Sequence, residues 1–409
     1  MKRIVSVILL IMMMLAVASC GATGVMDIPG QDGAAMTQSD MQQDKEGEPS
    51  DNADTGKEES EIVEIDDRLS VCLVVANLGD NSFNDSCDAG LKEAERDFGI
   101  RYDCQQVGED GLVNGVREAA QNGYDIVVTG YNSDKRAMLD EESLDYPDTI
   151  FFMYDNGDTE YVPNKNVLAV IFKANESDFV CGAIAAKQSE SKITGWIGGQ
   201  EYTSLYDFLV GWVEGVCYAD PKATTAYAWV AGESPWSDPA KAKELTRMLH
   251  MNFGTDVIHG VAGQSGDGVI EAVLELREAG NSSMWDIGVD SDQYAVFMAN
   301  GKEDKAGVIL TSSLKKVAKP VYDLVKTIVN GDAPVLGNQT YGIAEGAAGC
   351  ADNDFFRANA NAEAQAIADK ITNDVLAGKL TVSTAYGMSL EDLTALFEKT
   401  TVNYTKPKI

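Results

Sequence analysis

The chain has 409 residues, 44% of them hydrophobic, which is long enough for two domains that each bury a core. Its 65 acidic residues outnumber 32 basic ones, giving a formal net charge of −33. That field excludes nucleic acid as a partner, because binding it needs basic surface to displace counterions.

At the start, Lys2 and Arg3 precede an apolar run from Ile4 to Val17 that ends in Val-Ala-Ser-Cys at 17–20. This is the layout of an export signal with a small-residue cleavage site. The run is too short to span a bilayer. The cysteine after the small residues resembles the bacterial lipobox, which implies cleavage before Cys20 and a diacylglycerol on its sulfur. Residues 1–20 are therefore expected to be a leader, and the mature chain to be held on a membrane by its lipid. Residues 21–67 are rich in Gly, Asp, Glu, Gln and Ser without apolar periodicity, so an acidic, disordered tether is expected there. From Ser39 to Asp67 it carries twelve acidic and two basic residues, and repulsion should extend it.

Beyond Arg68, short apolar runs alternate with amphipathic stretches, the pattern of parallel βα units. Strands are expected at 71–78, 102–108, 124–131, 149–156 and 166–173. A helix follows the first of them, from Asp85 to a C-cap at Gly99. A second series begins near Glu176, with strands in ITGWIGG, TTAYAWVAGE, TDVIHGVAG and MWDIGVDSD separated by helices. The strand AGVILTSSLKK, the helix KPVYDLVKTIVNG, the segment YGIAEGAAG and the helix NAEAQAIADKITNDVLAGKL close the chain. Each series reads as a doubly wound α/β sheet, and the leftover strand and helix read as a crossing back to complete the first. The expected lobes are 68–174 with 310–338 and 175–309 with 339–409, with a cleft between them at the strand carboxyl ends.

Enzyme constellations are thin. His250 and His259 neighbour no nucleophile or carboxylate at a useful spacing, so both read as structural. Six cysteines besides Cys20 (72, 87, 104, 181, 217 and 350) show no metal spacing and read as buried thiols. Cys72 and Cys104 leave one disulfide open if their strands are neighbours. AGQSGDG (262–268) fits neither nucleotide fingerprint, but its glycines allow close approach of backbone to a ligand. Asp155, Asp290 and Asp292 stand at strand ends, where a carboxylate either caps the next helix or accepts from a ligand's hydroxyls. Phe83 in GDNSFND and Trp236 in SPWSDPAK sit in polar loops and suit a flat ring. Phe208 and Trp212 share one helical face, and Trp212 reads as core.

GDNSFND, PDTIFFMYDNG, NVLAVIFKANESDFVCGAIAA, ITGWIGG, DPAKAKEL, GTDVIHGVAGQSGDGVIEA, IGVDSDQ and VILTSSLKKVAKPVYD, in this order, closely resemble the basic membrane protein family of bacterial lipoproteins. The resemblance covers residues 70–385 and implies a type I periplasmic-binding-protein fold, α/β with two doubly wound parallel-sheet lobes around a central cleft. It implies a monomeric, non-enzymatic receptor without cofactors, on the extracytoplasmic face of the cell membrane. That receptor captures a nucleoside, a purine one in preference, and delivers it to an ABC transporter permease; a sensor lipoprotein using the same cleft is the alternative. It further implies that Phe83 stacks on the base beside Asn84, that Asp155 contacts the base, and that Asp290 accepts ribose hydroxyls. Phe208, Trp236, Gly263 and Lys315 complete the implied site. The first loop is shorter than in many members, so Asp80 is expected to supply the contact of a missing aspartate. Gln264 replaces a common glycine, and Asp207 stands where a basic residue is frequent.

Overall fold

Val71, Leu73 and Val75 alternate with Cys72 and Val74, and all five are buried, because helices cover both faces of the strand they form. The computed structural model describes residues 67–130 and 133–403. The expected leader, the lipid site Cys20 and the tether apart from Asp67 lie outside the described residues.

The first series is β1 (Ser70–Val75), α1 (Phe83–Phe98), β2 (Arg101–Gln106), α2 (Leu112–Gln121), β3 (Ile126–Gly130), α3 (Ser133–Glu142), β4 (Ile150–Tyr154) and β5 (Val167–Phe172). The second runs α4 (Ala174–Gln188), β6 (Ile193–Gly198), α5 (Thr203–Ala219), β7 (Thr224–Trp229), α6 (Pro239–Phe253), β8 (Val257–Val261), α7 (Gly266–Glu278), β9 (Trp285–Asp290), α8 (Gln293–Ala299), α9 (Glu303–Ala306) and β10 (Ile309–Lys315). The chain returns through α10 (Ala318–Val329) and β11 (Gly337–Tyr341). It ends in β12 (Ala348–Cys350), α11 (Asp354–Asn359), α12 (Ala362–Leu376), α13 (Leu390–Thr400) and β13 (Thr401–Asn403).

Two sheets result, ordered β11-β5-β4-β3-β1-β2 and β12-β10-β9-β8-β6-β7-β13. All pairs are parallel except β10 with β12. In each sheet the strand order reverses once, between β1 and β3 and between β6 and β8, and ligands of open α/β sheets bind at the carboxyl ends beside such a reversal. GDNSFND leaves the first reversal and AGQSGDG the second.

The chain crosses between sheets three times, after Phe172, after Lys315 and after Tyr341, and the first turn of α4 ties these crossings together. Glu176 accepts from Ile343 N at 2.8 Å. Ser177 Oγ donates to Leu314 O at 2.7 Å and accepts from Gly349 N at 2.8 Å.

Two expectations are corrected here. Residues 309–315 pair with β9 in the second sheet, and β11 extends through Tyr341 in the first. The part of the returning chain that belongs to the first half is thus about 318–341, not 310–338, because apolar periodicity identifies a strand but not its partner. The helix expected from Asp85 starts at Phe83. Gly99 does cap it in the left-handed conformation, at φ 68°. All six cysteines among the described residues are free thiols, and Cys72 stands opposite Asp103, with Leu73 opposite Cys104.

Helices α4 and α5 cross closely because glycines lie between their backbones. A Cβ on Gly211 would land on the Asn175 carbonyl, and one on Gly215 on the Phe179 carbonyl. Gly215→Ala gains up to about 1 kcal/mol of helix propensity but forces backbone on backbone. The expected net result is a loss of about 1–3 kcal/mol, the usual range for overpacking, read as a lower urea midpoint with an unchanged far-UV spectrum.

Candidate functional site

In the first loop two carboxylates exchange roles across the turn. Asp80, expected to face a ligand, accepts from the N–H groups of Ser82 at 3.0 Å, Asn84 at 2.8 Å and Asp85 at 3.2 Å. It therefore caps α1, and burial raises its pKa. Asp85 reaches back instead, accepting from Gly79 N and Asn81 N, both at 2.8 Å. Clamped from both sides, the loop delivers Phe83 as the first residue of α1.

Phe83 meets Tyr154 edge to face, ring centroids 5.0 Å apart. The Tyr154 hydroxyl donates to Asn84 Oδ1 at 3.1 Å, and Asn84 Nδ2 donates to Asn77 O at 3.2 Å. On the second half, Lys315 ends β10 and is almost fully buried. Its ammonium lies 5.1 Å from the Phe83 ring centroid and 4.7 Å from that of Phe208, and donates to Asp155 Oδ1 at 3.0 Å. An ammonium over two ring faces and against a carboxylate is stabilised by both fields.

Asp155 and Asp290 occupy equivalent places, at the ends of β4 and β9, and both are left-handed, at φ 64° and 62°. Such a backbone is uncommon outside glycine but tolerated by aspartate. It turns the chain sharply at the strand end, where both carboxylates share the field of Lys315. Ser82 Oγ donates to Asp290 Oδ2 at 3.0 Å, while Oδ1 has no partner among the described residues. Burial pushes the Asp290 carboxyl up to about 6, against the pull of Lys315 and Ser82. Burial alone would lower the Lys315 pKa, but Asp155, Asp290 and Asp207 together outweigh it and hold the ammonium charged.

Phe83, Asp155, Phe208, Asp290 and Lys315 thus converge, and Asn84 joins them through Tyr154. Trp236 and Gly263 form a second group. The Trp236 ring meets Tyr202 at 5.9 Å, its carbonyl accepts from Ser265 N at 3.1 Å, and a Cβ on Gly199 would strike the indole. Gly263 holds φ 55° beside them. Gln264 donates to Gly79 O at 3.5 Å and so bridges to the first loop.

Sequence reasoning missed Ser82, read only as a turn residue, and Tyr154, which looks like strand core. Asp207 is a tie rather than an exposed group: it accepts from Asn175 N at 3.2 Å and Ala385 N at 2.8 Å, and burial takes its carboxyl up to about 6. Asp292 caps α8 through Ala295 N, as strand-end carboxylates often do. His259 is buried, hydrogen-bonded to Ile287 O and Asp178 and stacked on Trp212. Both are core groups, as their surroundings in the sequence suggest.

A family model described as ABC transporter substrate-binding protein PnrA-like matches residues 68–379. The chain is 27% identical over 331 residues to the ABC transporter nucleoside-binding protein BmpA of Lactococcus lactis subsp. cremoris, covering 78% of this chain and 90% of that one. It is 29% identical over 260 residues to basic membrane protein B of Borreliella burgdorferi, covering 61% and 70% respectively. Among solved structures, an ABC transporter system solute-binding protein from Aeropyrum pernix K1 superimposes with a TM-score of 0.68 at 21% identity. That match covers 81% of this chain and 97% of the other, and shows a common fold.

Asp207 and Asp290, with native pKa values of about 6, and Asp286, raised by burial to about 7, bind protons that the unfolded chain has already lost near its usual 3.8. Stability therefore falls as pH rises between about 4 and 7. His259, whose pKa is raised because Asp178 and the Ile287 carbonyl outweigh burial, acts in the same direction above 6.5. Carboxylates held low by ion pairs, such as Glu271, contribute fully above their unfolded value of 4.5 and so do not alter the upper part of this window. Urea titrations should find the protein more stable at pH 5.5 than at pH 8 by on the order of 1–3 kcal/mol, with a smaller difference in Asp290→Asn.

Proposed function

Because the chain belongs to the PnrA-like family of ABC transporter substrate-binding proteins, we propose that it captures a nucleoside, purine in preference, and hands it to the permease of an ABC importer. It works from the outer face of the cell membrane, held there by a lipid on Cys20. The observation that carries this reading is the convergence on Lys315 of one phenyl ring and one strand-end carboxylate from each half.

Phe83 and Phe208 offer faces to a planar base from opposite sides of the cleft, and Asn84 and Asp155 offer polar atoms to its edge. Asp290, with one oxygen unpartnered among the described residues, accepts from ribose hydroxyls. Lys315 pulls against the burial that would neutralise Asp290 and so favours its charged, strongly accepting form. Trp236 and Gly263 close the site from the ends of β7 and β8, while Asp80 fixes the loop that aims Phe83. Asp155, Asp207 and Asp290 around one lysine disfavour a phosphate, which points to a nucleoside rather than a nucleotide. The Lactococcus relative is named a nucleoside-binding protein, in agreement.

The ligand favours closure only by binding the closed arrangement better than the open one. Residues from both halves on one ligand provide that difference.

Calorimetric titration with purine and pyrimidine nucleosides is the direct test. Saturable binding is expected, and Phe83→Ala should weaken it by about 1–3 kcal/mol, the range for one base-aromatic stack; an unchanged affinity would remove Phe83 from the site. Binding of a sugar or amino acid with no heat from any nucleoside would overturn the ligand class. For the anchor, Cys20→Ala in the native host should abolish labelled-palmitate incorporation and release the protein from the membrane fraction, and retention of both would disprove lipidation at Cys20.

A further inference from the structure

Tyr202 entered the site above only as a neighbour of Trp236, yet its place is closely determined. Strand β6 ends at Gly198, and Gly199 N donates to Val261 O at 2.9 Å, which ties the following loop to the end of β8. Three residues on, the Tyr202 carbonyl accepts from Leu205 N and Tyr206 N, both at 3.0 Å. The residue is thus held at the start of α5, the helix that carries Phe208. Its ring meets the Trp236 indole edge to face, at an interplanar angle of 70°. The two ends of the side chain have unlike surroundings. The residue as a whole is 41% exposed. Burial is nevertheless the first cause that raises the phenol pKa, followed by the charge of Asp155 and, more weakly, that of Asp290. The ring edge therefore meets solvent while the hydroxyl is turned inward toward both carboxylates, with the Ser204 hydroxyl beside it.

Those carboxylates end β4 of the first half and β9 of the second. Burial and both charges oppose ionisation of the phenol, so it stays protonated and acts as a donor. Among the described residues it is hydrogen-bonded to neither carboxylate, although it lies in the field of both. A group that fits between a donor and an ionised carboxylate must accept from one and donate to the other. A hydroxyl does both, whereas an unprotonated ring nitrogen of a base only accepts. Asp155 already accepts from Lys315, while Asp290 keeps one oxygen without a partner among the described residues. We propose that Tyr202 is a further ligand-binding residue that reads the sugar: its hydroxyl donates to a ribose hydroxyl whose own hydrogen goes to Asp290. The proposal rests on the nucleoside reading above and adds a selectivity to it, for ribonucleosides over nucleosides that lack the 2′- and 3′-hydroxyls.

Adenosine, inosine and uridine, each beside its 2′,3′-dideoxy analogue, are titrated calorimetrically into the wild-type protein and into Tyr202→Phe. The substitution keeps a ring against Trp236 and removes only the hydroxyl. For the ribonucleosides that bind, affinity should fall about twofold to tenfold, the span of one net hydrogen bond. For the dideoxy analogues it should not change, so the variant loses part of the wild-type preference for ribose. Equal weakening of both forms would place the effect in ring packing and overturn the proposal, as would unchanged affinity for both. In either of those cases the nucleoside reading stands. Failure of every nucleoside to bind the wild-type protein overturns that reading, and the role of Tyr202 with it.

Discussion

The first turn of α4 places four polar side chains in succession, Asn175, Glu176, Ser177 and Asp178, where an interior-facing helix normally carries apolar ones, and all four are buried. Each satisfies backbone or side-chain groups that the strand crossings would otherwise leave without partners. Asn175 donates to the carbonyl of Ser383, Glu176 accepts at the third crossing, and Ser177 joins the second to β12. Asp178 accepts from Ser313 Oγ and from His259. A buried polar group costs little only when paired, so these bonds are mutually dependent. Cutting one exposes the others to loss, which makes this turn the point through which the two sheets hold their relation.

Phe208, Asp290 and Lys315 reach the cleft from the body fixed by that knot, while Phe83, Asn84 and Asp155 come from the other. Strand ends beside a reversal in strand order leave space that no helix covers, and both halves use it in the same way: an aspartate in the left-handed conformation ends a strand and faces the gap. Aspartate suits the position twice, because it tolerates that backbone better than most residues and leaves a charged acceptor at the point of turning. The reversal of the second sheet holds Trp236, where Gly199 lacks the Cβ that would keep the indole off the backbone.

Much of this was legible in the sequence. The strands 71–78, 149–156 and 166–173 are apolar runs that stand out by themselves, and GVDSDQ and MYDNG announce carboxylates at strand ends. Phe83 was recognisable as out of place in a polar loop. What escaped were facts of pairing. Ile309–Lys315 has the composition of a strand in either sheet, and only its ladder with β9 decides. Asp80 and Asp85 are chemically alike and five residues apart, so the sequence could not tell which one caps the helix and which one holds the loop. Ser82 and Tyr154 gain their roles from partners 208 and 70 residues away in the chain, a distance at which no local pattern speaks.

The contacts that join the halves at the site are few and polar. Ser82 donates to Asp290 at 3.0 Å, Ser291 to Ser82 O at 3.2 Å, Gln293 to Asn81 O at 3.4 Å, and Lys315 to Asp155 at 3.0 Å. Each such bond replaces one to water and nets only about 0.5–1.5 kcal/mol, rising to about 1.5–3 when a charge takes part. Their sum is opposed by the desolvation of Asp290 and Lys315, visible in the raised carboxyl pKa of the former. Closure without a ligand is therefore held by a difference of a few kcal/mol, which a ligand contacting both halves can tip. An apolar interface of the same extent would shut the cleft permanently, and the polar one is what allows the ligand to set the balance.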